Sequence, residues 1–118
     1  MHILQVAYYP TLRDIRAEML RAAGYRVTSI LGNHEAMMLD REFLEAADLA
    51  IVGSCADHSV RTEMIHWLKA HCPKIPVLAL QLNEWEEFRE ADKAALSGNP
   101  KAWLAAIADL IQAQSAEP

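Results

Sequence analysis

Four consecutive residues, Cys55-Ala56-Asp57-His58, place a thiol, a carboxylate and an imidazole in one short stretch. A thiolate beside a base is the beginning of a nucleophilic site, and all three side chains are metal donors. Consecutive loop residues rarely converge on one atom, however, and structural zinc wants four donors in a fixed tetrahedron. The favoured reading is a polar loop lining a pocket. Further along, His66, His71 and Cys72 share a helical stretch, but the two histidines are five apart and miss the common face of an i,i+4 pair. They read as surface histidines and a partly buried cysteine, and His34 as another surface histidine. Asp48 reads as a strand-entry residue and Asp57 as a turn residue, since turns favour Asp. The chain has only four glycines and none are grouped, so no phosphate-cradling loop is expected. The expectation is no catalytic residue, no metal and no cofactor, FMN included.

Short apolar runs alternate with amphipathic stretches along the chain, the pattern of an α/β protein with a parallel sheet. Ile3 to Tyr8 is nearly all apolar, as for a strand buried on both faces. Thr11, with Asp14 three residues on, predicts a capped helix start. Leu12, Ile15, Met19, Leu20 and Ala23 then form its apolar face, and Gly24 its stop. Tyr25–Ile30 is a second strand, and after the Gly32-Asn33 break one helix is predicted from Glu35 to Ala47. Leu49–Val52 is the third strand, ending in Gly53-Ser54. Ser59 is the predicted cap of a third helix with Val60, Met64, Trp67 and Leu68 inward and Pro73 after it. Ile75–Leu80 is the fourth strand. Asn99 and Pro100 open a last helix whose apolar face is Trp103, Leu104, Ile107, Leu110 and Ile111, and 113–118 read as a frayed tail. Between Gln81 and Leu96 a helix and a strand have too little room. Glu84–Glu90 offers two helical turns and Lys93–Leu96 a very short strand, one of them stunted.

The chain has 118 residues, 53% of them hydrophobic, which fits one domain over 1–118 with a real core. Met1 and the polar end read as a stand-alone unit. No apolar run approaches the roughly 18 residues of a membrane span, and no signal-peptide pattern opens the chain. Two cysteines are too few for a disulfide framework, which suits a reducing cytoplasm. A net charge of −5 with no basic stripe argues against nucleic acid as a partner.

Read in order, these segments resemble the receiver (CheY-like) domains of bacterial response regulators. Ile3-Leu4-Gln5-Val6-Ala7-Tyr8-Tyr9-Pro10 is similar to the receiver opening. Ala23-Gly24-Tyr25-Arg26-Val27 resembles the end of helix one and strand two, and Gly32 to Met37 the turn into helix two. Asp48-Leu49-Ala50-Ile51-Val52 resembles the approach to the phosphoacceptor, Ile75–Leu80 strand four, and Asn99-Pro100 the last helix. The resemblance implies a three-layer α/β/α, flavodoxin-like, doubly wound parallel sheet in the order 2-1-3-4-5, with a shortened helix-4/strand-5 region. The departures fall on the positions that carry the family's chemistry. Ala7 and Tyr8 stand where metal-binding acids belong, and Gly53 where the phosphoacceptor aspartate belongs. Gln81 replaces a Ser or Thr, and Leu96 stands about where a lysine belongs. Such an edge supplies neither the oxygen ligands of Mg²⁺ nor a nucleophilic carboxylate.

The resemblance therefore implies a degenerate, pseudo-receiver signalling module of a two-component or phosphorelay system. It is expected to be cytoplasmic, not an enzyme, and to act by contact with a protein partner, a signalling kinase or an output protein, or as a homodimer. Tyr8 is expected to plug the former metal pocket, or to wall a small-ligand pocket with Cys55, Asp57 and His58. Trp85 and Phe88, three apart, form either a partner surface or a cover over the core. The alternative function is a small-ligand binder or enzyme using the pocket near Tyr8, Gly53, Cys55, His58 and Gln81.

Overall fold

Strand β1 (His2–Ala7) carries the pattern of a chain covered on both sides, and it is an interior strand of the sheet. In the computed structural model, which describes residues 1–115, five parallel strands lie in the order β2-β1-β3-β4-β5. They are β2 (Arg26–Leu31), β3 (Leu49–Val52), β4 (Val77–Gln81) and β5 (Lys93–Leu96) around β1. The sheet is the expected flavodoxin-like one. Successive side chains of a strand face opposite ways, and the core divides accordingly. Leu4, Val6, Ala50, Val52, Val77 and Ala79 pack under α2 (Gly32–Met37), α3 (Arg41–Glu45) and α4 (His58–His71). Ile3, Leu49, Ile51, Leu78 and Leu80 pack under α1 (Pro10–Ala22) and α5 (Pro100–Ser115).

Local chemistry sets most of the boundaries. Helix α1 ends in a glycine with φ +97°, Gly24, whose N–H donates to the Arg21 carbonyl while that of Tyr25 donates to Leu20. This is the paired closure that a left-handed residue after a helix permits. At α5, Asn99 Oδ1 accepts the Ala102 N–H at 3.1 Å and Pro100 follows at the first helical position.

Helix α1 starts at Pro10 with Tyr9 before it and no side-chain cap, because proline at the first position sets the start. Thr11 is thus already helical, and Asp14 pairs with Arg13. Ile15 is 48% exposed, and its neighbour Arg16 is the inward residue. The single helix over Glu35–Ala47 is two short ones, parted where Asp40 takes an extended conformation; aspartate competes poorly for helix. Helix α4 opens at His58, one residue before the predicted cap Ser59. Helix α5 continues to Ser115, so 113–115 are helical, while the rest of the expected tail, 116–118, lies outside the described residues. Strand β5 spans Lys93–Leu96 as expected, and Glu84–Glu90 forms no helix. There Asn83 Oδ1 accepts the Trp85 and Glu86 N–H groups at 3.0 and 3.1 Å, opening a turn. Propagation then fails because Glu86 turns its side chain inward.

Candidate functional site

The carboxyl ends of the central strands line one edge of the sheet. Val6 pairs with Val52, and the Gly53 N–H donates to the Val6 carbonyl at 2.8 Å, which sets Ala7 beside Gly53. On the far side, Gln81 and Leu96 are cross-strand partners. The register thus brings Ala7, Gly53, Gln81 and Leu96 to the same edge, with no carboxylate among them.

A guanidinium is there instead. Arg16 is only 6% exposed, and a Cβ placed on Gly53 would stand 3.2 Å from its Nη1 and 3.3 Å from the Val6 oxygen. Its Nη2 donates to the buried Ser54 Oγ at 3.2 Å. Burial lowers the guanidinium pKa, and the nearby Cys55 raises it. The sequence carried a signal for this residue: Arg16 lies four residues from both Leu12 and Leu20, inside an apolar stripe.

A second guanidinium, on Arg61, holds the loops around the edge. It is 1% exposed and lies three residues before buried Met64, again a cation on an inward face. Nε donates to Ala56 O at 2.8 Å, while Nη1 donates to Leu80 O at 3.3 Å and to Glu86 Oε1 at 3.0 Å. Nη2 binds Glu86 Oε2, and the guanidinium carbon lies 5.1 Å from the Phe88 ring centroid. Glu86 also accepts the Leu82 N–H, and the hydrogen bond from Arg61 holds its pKa below the usual range. Gln81 Nε2 donates to Glu86 O at 2.8 Å.

The Tyr8 hydroxyl donates to Asn33 Oδ1 at 2.6 Å, and Asn33 Nδ2 donates to Val60 O at 2.9 Å. The half-buried ring thus ties β1 to α2 and α4, and burial pushes its pKa well up. Cys55, Asp57 and His58 do not converge. Cys55 is exposed, and Asp57 precedes α4 and gives its carbonyl to Val60 and Arg61. His58 stacks on Phe88 at 4.7 Å and hydrogen-bonds Glu87 O at 2.7 Å. Asp48 lies at the opposite edge, accepting the His2 N–H at 2.7 Å. Exposed His66 pairs with Glu90, His71 stacks on Trp67, and Cys72 is buried with its pKa raised. Phe88 is 8% exposed and belongs to the core, whereas Trp85 is 88% exposed. The two therefore do not share a face, and only Trp85 is available to a partner. It stands over a groove of about 710 Å³ beside His58, Thr62, Glu87, Arg89 and Glu90. A hollow of about 350 Å³ near Arg41, Cys72 and Ile75 lies at the amino edge, away from these residues.

The chain matches no protein-family model and no curated protein. Solved structures match over nearly all of it. A response-regulator receiver-domain protein from Clostridium thermocellum superposes with a TM-score of 0.83 at 15% identity, covering 97% of this chain and 96% of that one. The fold is that of a receiver domain. The CheY-like receiver-domain protein from Methanospirillum hungatei JF-1 gives 0.79 at 18% identity over 99% and 98% of the two chains. Response regulator TrrA from Thermotoga maritima, solved with Mg²⁺ and BeF, gives 0.78 at 19% identity over 92% and 97%. TrrA is also solved in complex with histidine kinase ThkA. Mg²⁺ takes oxygen ligands and is bound through carboxylates. Ala7 and Gly53 offer none and the Arg16 guanidinium lies against Gly53, so this receiver fold does not fit the ion. Among the described residues no group of three or more His, Cys, Asp or Glu side chains could hold a metal.

Proposed function

We propose that the chain is a receiver-like module of a two-component or phosphorelay system, one that signals by protein–protein contact and not by aspartyl phosphorylation. One observation carries this reading. The edge where a receiver accepts its phosphoryl group has Ala7 and Gly53, with a buried arginine against Gly53. That arrangement lacks the nucleophile that phosphoryl transfer requires. The module is cytoplasmic and performs no catalysis of its own. Its partner is a kinase or output protein, a class to which the TrrA–ThkA complex lends support. The contact face is the groove under Trp85, where an exposed indole beside a pinned loop is the kind of anchor that dominates protein interfaces.

Incubation with acetyl phosphate and Mg²⁺ tests the chemistry. The intact mass is expected to stay unchanged. A stoichiometric adduct of one phosphoryl group, removed by hydroxylamine, overturns the reading.

A further inference from the structure

Two arginines are buried here, and only one has its charge answered. Arg61 faces Glu86 and engages all three nitrogens. Arg16 makes no ion pair among the described residues, and its one hydrogen bond there goes to the neutral Ser54 hydroxyl. A guanidinium stays charged in proteins, and a buried charge without a counter-charge is expensive. Nor is Arg16 sealed. The described side-chain atoms that are both fully enclosed and without a partner are Gln5 Oε1 and Trp103 Nε1. Arg16 Nε and Nη1 are not among them, so they keep a sliver of solvent contact and have donors to spare. Ser54 Oγ, by accepting from Arg16, keeps its own proton free to donate. All of this lies at the carboxyl edge, where wound sheets bind ligands.

We propose that this edge binds a phosphate-type oxyanion without covalent chemistry, with Arg16 as the principal ligand and the Ser54 hydroxyl beside it. The planar guanidinium fork matches two oxygens of such a group at once. The glycine at 53 is part of the device, because an aspartate there would set its own carboxylate against Arg16 and occupy the site from within. The inference stands on Arg16 and holds whether or not the chain signals.

The test is the melting temperature of the full chain against sodium phosphate at constant ionic strength, with chloride as the reference. A ligand bound only by the native state raises it with concentration. Glycerol phosphate, run in parallel, separates a site for the free ion from one that accepts a phosphomonoester. Phosphate is expected to raise the melting temperature above the chloride reference, and R16K to weaken the apparent affinity about tenfold or more by losing the fork. G53D is expected to abolish the effect while leaving Arg16 in place. R16M, if it folds by circular dichroism, should also abolish it; if it does not, R16K and G53D decide. A phosphate response no larger than that to chloride, or one that survives in R16K at full strength or in G53D, overturns the proposal. Covalent mass change in acetyl phosphate is a separate outcome and bears only on the signalling reading.

Discussion

Arg61 and Glu86 form the contact on which the edge loops depend. The guanidinium is 1% exposed and reaches the Ala56 and Leu80 carbonyls as well as the carboxylate. Removing one partner of such a pair leaves the other buried and unanswered, at about 3 kcal/mol or more. E86A is therefore expected to destabilise the fold by about 3 kcal/mol in urea unfolding, with the loss concentrated around residues 82–91 in amide hydrogen exchange. The same pair sets an acid dependence. Glu86 has its pKa lowered in the folded protein, chiefly by the Arg61 hydrogen bond. The unfolded chain thus binds that proton more tightly, so the stabilisation is complete above the ordinary carboxylate value of about 4.3 and disappears as pH falls through the folded value. The stability-versus-pH curve of E86Q should accordingly be flatter below pH of about 4.3 than that of the parent. Tyr8 shows the same logic with opposite sign. Its raised pKa keeps the phenol protonated, so Y8F should lose part of the decline in stability above a pH of about 10.

At the scale of elements, closures and caps decide where the helices stop. Gly24 has φ +97° with open space around its Cα, so an alanine there suffers from backbone conformation and not from collision. G24A is expected to lower stability by about 1 kcal/mol, read from the denaturant midpoint at unchanged slope. The segment before β5 is the element that differs most from its sequence pattern. Glu84 to Glu90 has a helical composition, but Glu86 is held by Arg61 and the Leu82 N–H, Phe88 is in the core, and His58 stacks against it. Those three attachments fix the chain in a shape that no helix satisfies, and they leave Trp85 projecting. Strand β5 survives its short length because Asp92 Oδ2 accepts the Val77 N–H at 2.7 Å and the Lys69 ammonium at 2.8 Å.

In the whole molecule, one sheet separates two apolar clusters, and every central strand contributes to both. Neither cluster can open without exposing the other, so unfolding should be a single transition in which circular dichroism and tryptophan fluorescence coincide. The sequence by itself determined the alternation of strands and helices that builds a parallel sheet, through local periodicity, capping and turn residues, which act over a few neighbours, while the order of the strands was implied by its resemblance to receivers. It also showed, through its resemblance to receivers, that Ala7, Gly53, Gln81 and Leu96 would stand together without a carboxylate. What it left undecided were contacts between residues far apart in the chain. Arg61 with Glu86, Arg16 with Ser54 and Tyr8 with Asn33 are pairs whose separation carries no periodic trace. Cys55, Asp57 and His58 are close in sequence, yet their directions depend on the chain leaving β3 for α4 and on Phe88 arriving from the far side. A cation in an apolar stripe was legible at 16 and 61. Only the tertiary structure decided that one meets a carboxylate and the other lies against Gly53, because a charge is answered by whatever packs against it and not by its neighbours in sequence.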